Sequence, residues 1–226
     1  MSNATAQRPW DARLARKLVT PLRHTRVTPN HLTTVRLAVG LAGAAAFLPG
    51  TYLWSNVGAL LMILSNFLDH TDGELARISG KTSRIGHVYD LASDAAVTIL
   101  LFVAIGVGAA ASARTALQFP PVTLGVVAGC AVALIFFLRM RIEEMAGKAG
   151  TKQATVGGFE TEDVLYLLPI VTLTSVVMPF VVVASIGAPL FAVWVVVDYW
   201  RVARRAARSA VAPVKASETS QMWASE

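Results

Sequence analysis

Residues 68–94 read LDHTDGELARISGKTSRIGHVYDLASD and place four aspartates, Asp69, Asp72, Asp90 and Asp94, in a chain that is otherwise mostly apolar. Asp69 and Asp72 are three apart, and Asp90 and Asp94 are four apart. On helices, either spacing puts both carboxylates on one face. Gly73 follows the first pair at once, and Gly86 precedes Asp90 by four. If the two segments are antiparallel helix ends, the four carboxylates converge, with no side chain at Gly73 to block a ligand. Such a cluster cannot persist near a membrane unless cations neutralise it. Hard oxygen ligands select Mg²⁺, Mn²⁺ or Ca²⁺, and Mg²⁺ commonly shares its coordination sphere with substrate phosphates.

The surroundings of this stretch decide the fold class. Of 226 residues, 54% are hydrophobic and only 15% charged, with a mean hydropathy of +0.55. A soluble domain carries about a quarter of its residues as charges. The charges here are segregated, and long apolar runs lie between them, as in a polytopic membrane protein of one domain. Cys130 is the lone cysteine, which excludes an intramolecular disulfide. The first thirty residues lack an apolar core, so no cleavable signal peptide is expected.

The expected architecture is all-α and integral to the membrane, with six transmembrane helices preceded by an N-terminal interfacial amphipathic helix. Residues 1–30 form the basic amphipathic segment, with Trp10, Leu14, Leu18 and Leu22 at four-residue spacing. Residues 31–208 are expected to form the six-helix membrane domain. Its spans are predicted over His31–Leu48, Tyr52–Asp72, Arg84–Ala110, Val122–Arg141, Thr161–Val183 and Pro189–Arg208. Pro169 and Pro179 are expected as kinks in the fifth span, and Ser185–Pro189 as the turn before the sixth. Residues 209–226 read as a disordered tail.

Six spans put both termini, the 2–3 loop and the 4–5 loop on one side. Of the 20 Lys and Arg, all but Arg114 then fall on or near that side. The positive-inside rule makes it the cytoplasmic face of the cell (inner) membrane, and the aspartates lie there too. This distribution accounts for the net charge of +6 through orientation and lipid headgroups, and nothing further points to nucleic acid.

The string D-G-x-x-A-R, then eight residues, then G-x-x-x-D-x-x-x-D, with an aspartate three residues ahead, resembles the signature of the CDP-alcohol phosphatidyltransferase family. All of its fixed positions match: Asp69, Asp72, Gly73, Ala76, Arg77, Gly86, Asp90 and Asp94. The resemblance implies displacement of CMP from a CDP-linked lipid donor, CDP-diacylglycerol in most bacterial cases, by a small alcohol acceptor. It implies two divalent cations, Mg²⁺ or Mn²⁺, on Asp69, Asp72, Asp90 and Asp94, with Asp94 also the general base for the acceptor hydroxyl. It also implies room for cytidine at Gly73, close approach at Ala76 and Gly86, a phosphate or carboxylate contact for Arg77, and a homodimer embedded in membrane lipid.

Other residues carry two readings. Arg36 sits inside the first span in a T-P-N-x-L-T-x-x-R pattern similar to the start of helix 1 in many family members. It either snorkels to the interface or faces the carboxylates to grip a phosphate. Arg139, Arg141 and Lys152 are membrane anchors or contacts for a phosphorylated acceptor. Glu74 reads as solvent-facing. His31, His70 and His87 read as interfacial rather than metal-binding. Glu160, Glu162 and Asp163 suit a helix N-terminus or an acceptor site. The alternative function is a cation-coupled transporter using the helix aspartates. Transporter sites lie near the midplane on broken helices, whereas these acids are predicted at helix ends.

Overall fold

Proline and glycine punctuate the chain where its helices begin and end. The computed structural model describes residues 10–112, 119–146 and 166–223, and these are helical almost throughout. Helix α1 spans Trp10–Val19 and runs into a 3₁₀ turn at Thr20–His24. Then come α2 (Pro29–Ala46), α3 (Tyr52–Ser79), α4 (Arg84–Ser112), α5 (Pro121–Ala146), the short α6 (Leu168–Leu173) and α7 (Val177–Trp223).

Local chemistry sets these bounds. Pro29 opens α2 and Pro121 opens α5, where a missing N–H is harmless because the first turn has no intrahelical acceptor. Ahead of α2, the Thr28 backbone N–H donates to His31 Nδ1 at 3.3 Å, so this histidine caps a helix. Gly80 ends α3 with φ +68°, the left-handed conformation that glycine adopts without penalty. The turn to α4 is therefore only residues 80–83, and α3 runs seven residues beyond the Asp72 end read from the sequence.

Helices α3 and α4 each pack on α2, α5 lies on α4, and α7 lies on α5. One core joins Phe47, Met62, Leu101, Ile105, Leu168 and Val181; a second joins Ile135, Leu138 and Ile142 of α5 to Ala192 and Val195 of α7. The α4–α5 contact depends on absent side chains. A Cβ on Gly125 would stand 2.2 Å from the Phe102 carbonyl oxygen, and one on Gly129 would stand 3.1 Å from Ile99 Cα. Small residues of this kind let membrane helices bring their backbones together. Large apolar side chains such as Leu60, Leu64, Leu190 and Val193 face outward, an exposed surface that a lipid solvent explains. Among the described residues, three helical stretches are long and apolar enough to cross a membrane: Ile85–Ala111, Pro121–Ala146 and Val177–Ala207.

Two features correct the sequence reading. The reversal expected at Ser185–Pro189 lies instead at Thr174–Val176, where Ser175 has φ +59°. Pro179 is the third residue of α7, inside the first turn where its missing N–H costs nothing, so it starts a helix rather than kinking one. Pro189 sits within α7, where the Ser185 hydroxyl donates to the Val182 carbonyl at 2.8 Å. Second, α7 continues through 209–223, the stretch read as a disordered tail; its Ala- and Arg-rich lead-in favours helix.

Helix α1 packs its Ala15–Val19 stripe on α3, both residues being buried, while Leu14 and Leu18 stay exposed. Lys81 of the α3–α4 turn ties down the chain after α1, its Nζ donating to the Thr25 carbonyl at 2.8 Å and the Val27 carbonyl at 3.3 Å.

Candidate active site

Joined by the 80–83 turn, α3 and α4 both pack on α2, α3 antiparallel to it and α4 parallel, so the end of α3 and the start of α4 both meet the start of α2. The predicted convergence follows from this. All four aspartates reach a single guanidinium, that of Arg36 on α2. Nη1 donates to Asp69 Oδ1 and, at 2.5 Å, to Asp94 Oδ1. Nη2 donates to Asp90 Oδ1 at 2.9 Å and to the Asp90 carbonyl at 3.3 Å. Nε lies 3.9 Å from Asp72 Oδ2, beyond hydrogen-bond reach, and has no hydrogen-bond partner. Arg36 is 4% exposed, so it faces the carboxylates and does not snorkel.

Within this group the acids divide. Carboxylate oxygens of Asp69, Asp72 and Asp90 lie within 4.8 Å of one another, close enough to share an ion, and Asp94 stands outside that trio. Two unit charges at that separation repel by roughly 3 kcal/mol at an effective dielectric near 20. Four carboxylates against one arginine leave a surplus of negative charge that hard cations would remove. Asp72 is buried and accepts a hydrogen bond from Thr33 Oγ1 at 2.8 Å, which orients it. Thr33 lies one helical turn before Arg36 in the T-P-N-x-L-T-x-x-R pattern, so its position was readable, though not its partner.

A cavity of about 610 Å³ opens beside the cluster, lined by Arg36, Asp69, Asp90 and Asp94 on one side and by Phe136, Arg139 and Glu143 of α5 on the other. The guanidinium of Arg139 stacks on Phe191 at 5.7 Å and on Trp194 at 5.3 Å, both of α7. Arg139 Nε and Asn66 Nδ2 are buried donors without a hydrogen-bond partner, and both residues line this cavity. Sequence reading missed Asn66, although it stands one turn before Asp69 on the same helix face.

The remaining predicted residues fall as follows. A Cβ on Gly73 would meet nothing within 4 Å, so open space adjoins it, whereas one on Gly86 would lie 2.7 Å from Asn30 Oδ1. Gly86 thus serves close contact between the starts of α4 and α2. Ala76 is half-buried on α3. Arg77 is exposed and pairs with Glu74 at 2.6 Å, not with any of the four aspartates. Glu74 is 1% exposed, which corrects its reading as solvent-facing. Arg141 pairs with Glu144 at 2.6 Å, and the same Glu144 reaches His87 Nε2 at 3.4 Å across the α4–α5 gap. Arg141 is not among the residues lining the cavity. Lys152, Glu160, Glu162 and Asp163 lie outside the described residues.

The sequence matches the family model described as CDP-alcohol phosphatidyltransferase over residues 26–203. No curated protein matches the chain significantly. Among solved structures, it is similar to phosphatidylinositol phosphate synthase of Mycobacterium tuberculosis, crystallised with manganese and citrate. That match has a TM-score of 0.54 at 23% identity and covers 87% of this chain and 88% of that one, a likeness of fold.

Proposed function

The chain belongs to the CDP-alcohol phosphatidyltransferase family, and we propose that its donor is CDP-diacylglycerol and its acceptor a small alcohol or polyol, free or phosphorylated. The family reaction is CDP-alcohol phosphotransfer in phospholipid biosynthesis, and the all-helical fold with apolar, membrane-length helices suits a lipid substrate. One observation carries the finer reading: three carboxylates lie within 4.8 Å of one another, and two of them, Asp69 and Asp90, line the same cavity as Asp94.

The donor set fits divalent cations. It is all carboxylate oxygen, and a buried cationic group already lies among the four acids. Asp69, Asp72 and Asp90 would hold two ions, Mg²⁺ or Mn²⁺. Bound there, they would neutralise the diphosphate and the charge that develops on departing CMP. Asp94 takes the proton of the acceptor hydroxyl; that oxygen bonds the phosphatidyl phosphorus as its bond to the CMP oxygen breaks. Gly73 leaves space for the nucleotide. Arg139, held by Phe191 and Trp194, offers a donor to a phosphate or hydroxyl on the acceptor. Arg77 buttresses Glu74 at the cytidine end.

We also propose six crossings, with the site and both termini on the cytoplasmic face of the inner membrane, and a homodimer. Charge placement supports the orientation: all but Arg114 of the 20 basic residues fall on that side. Exposed Leu14 and Leu18 beside exposed Arg13, Arg16 and Lys17 suit α1 to the membrane surface.

The test is CMP release by purified protein given CDP-diacylglycerol, Mg²⁺ or Mn²⁺, and a panel of alcohols. Release should require both metal and one class of acceptor. No release with any acceptor would rule out this donor.

A further inference from the structure

Arg36 occupies the space between the carboxylates that the proposed function assigns to cations, and its contacts are those of a partial substitute. One nitrogen, Nη1, is shared between Asp69 and Asp94, while Nε reaches no hydrogen-bond acceptor and Asp72 is 3.9 Å away. A single positive charge also leaves three of the four carboxylate charges uncompensated, whereas two divalent ions would match all four. The backbone here is fixed, because Ser65 Oγ donates to the Arg36 carbonyl at 3.1 Å. The side chain, though buried, borders the 610 Å³ cavity. Among the described charged groups lining that cavity, only Arg139 is another basic residue with a permanent charge, and it is held by two aromatic rings on the α5–α7 side.

We propose that Arg36 is an exchangeable counter-cation: it holds the four carboxylates together in the metal-free protein and is driven from between them when divalent ions bind. Without it, the acids at the meeting of α2, α3 and α4 would repel and splay. With ions in place, the guanidinium is repelled into the cavity, where it meets the diphosphate of the donor. This inference rests on the metal reading given above. It adds that metal affinity reflects the cost of displacing Arg36.

The test measures Mn²⁺ binding by the electron paramagnetic resonance signal of free Mn²⁺, on the full chain in detergent. Arg36→Gln should bind Mn²⁺ tighter than wild type by about tenfold, because the competitor is gone and the metal-free state is destabilised. The same variant should unfold at a lower temperature than wild type without metal, and the gap should close at saturating Mn²⁺. Equal or weaker Mn²⁺ binding by the variant overturns the inference. Should the variant fail to fold, labelling of Arg36 in wild type by phenylglyoxal, read by peptide mass spectrometry, decides: Mn²⁺ should accelerate it, and an unchanged rate overturns the inference. Wild type that binds no Mn²⁺ sinks the metal reading together with this one. Binding that Arg36→Gln leaves unaltered sinks this one alone.

Discussion

Asp94→Asn should lower the turnover number for CMP release by roughly 10²–10⁴-fold, the range over which a positioned general base contributes, while Mn²⁺ and donor binding stay near wild type. The side chain is nearly isosteric, so the cavity keeps its shape. What disappears is the carboxylate oxygen able to accept the proton of an acceptor hydroxyl. Asp69, Asp72 and Asp90 form the trio whose oxygens all lie within 4.8 Å of one another; Asp94 lines the cavity and is not one of that trio. The check is turnover beside equilibrium binding of Mn²⁺ and of CDP. Normal turnover would show that another group takes the proton. Lost Mn²⁺ binding would make Asp94 chiefly a metal ligand.

Asp72→Asn should act at the opposite end of the reaction, weakening Mn²⁺ and CDP binding together. Asp72 is buried and held in place by the Thr33 hydroxyl. Loss of a residue that only supports a ligand already costs metal affinity about 10–100-fold; a ligand itself should cost at least as much. The nucleotide follows the metal because its diphosphate is held through the ions. Paired titrations of Mn²⁺, and of CDP with and without Mn²⁺, check this. Unchanged metal affinity in Asp72→Asn would remove it from the ligand set.

Much of this site was legible in the chain. The spacing of Asp69, Asp72, Asp90 and Asp94 fixes which helix face each pair occupies, and Gly80 with the short polar turn brings the faces together. The starts of α2 and α5 were legible because proline marks them. The reversal before α7 was not. The run from Val164 to Val197 carries no charge, so composition does not say where it turns. The turn that forms uses Ser175 at positive φ, a residue with no such preference, while the letters that usually mark a turn, Ser185, Gly187 and Pro189, lie inside a helix. Arg36 could be read either way, because its depth alone does not tell snorkelling from pairing; only the register of α2 against α3 and α4 decides it. Burial of Glu74 and stacking of Arg139 on Trp194 likewise depend on which helices become neighbours, and local spacing holds no record of that.

The central claim is that the acids at the end of α3 and the start of α4 hold divalent cations for phosphotransfer. Anomalous scattering at the manganese edge, from crystals of the full chain grown with Mn²⁺, tests it most directly. The account predicts peaks between the carboxylates of Asp69, Asp72 and Asp90. Manganese bound elsewhere, with that trio empty at saturating Mn²⁺, would contradict it.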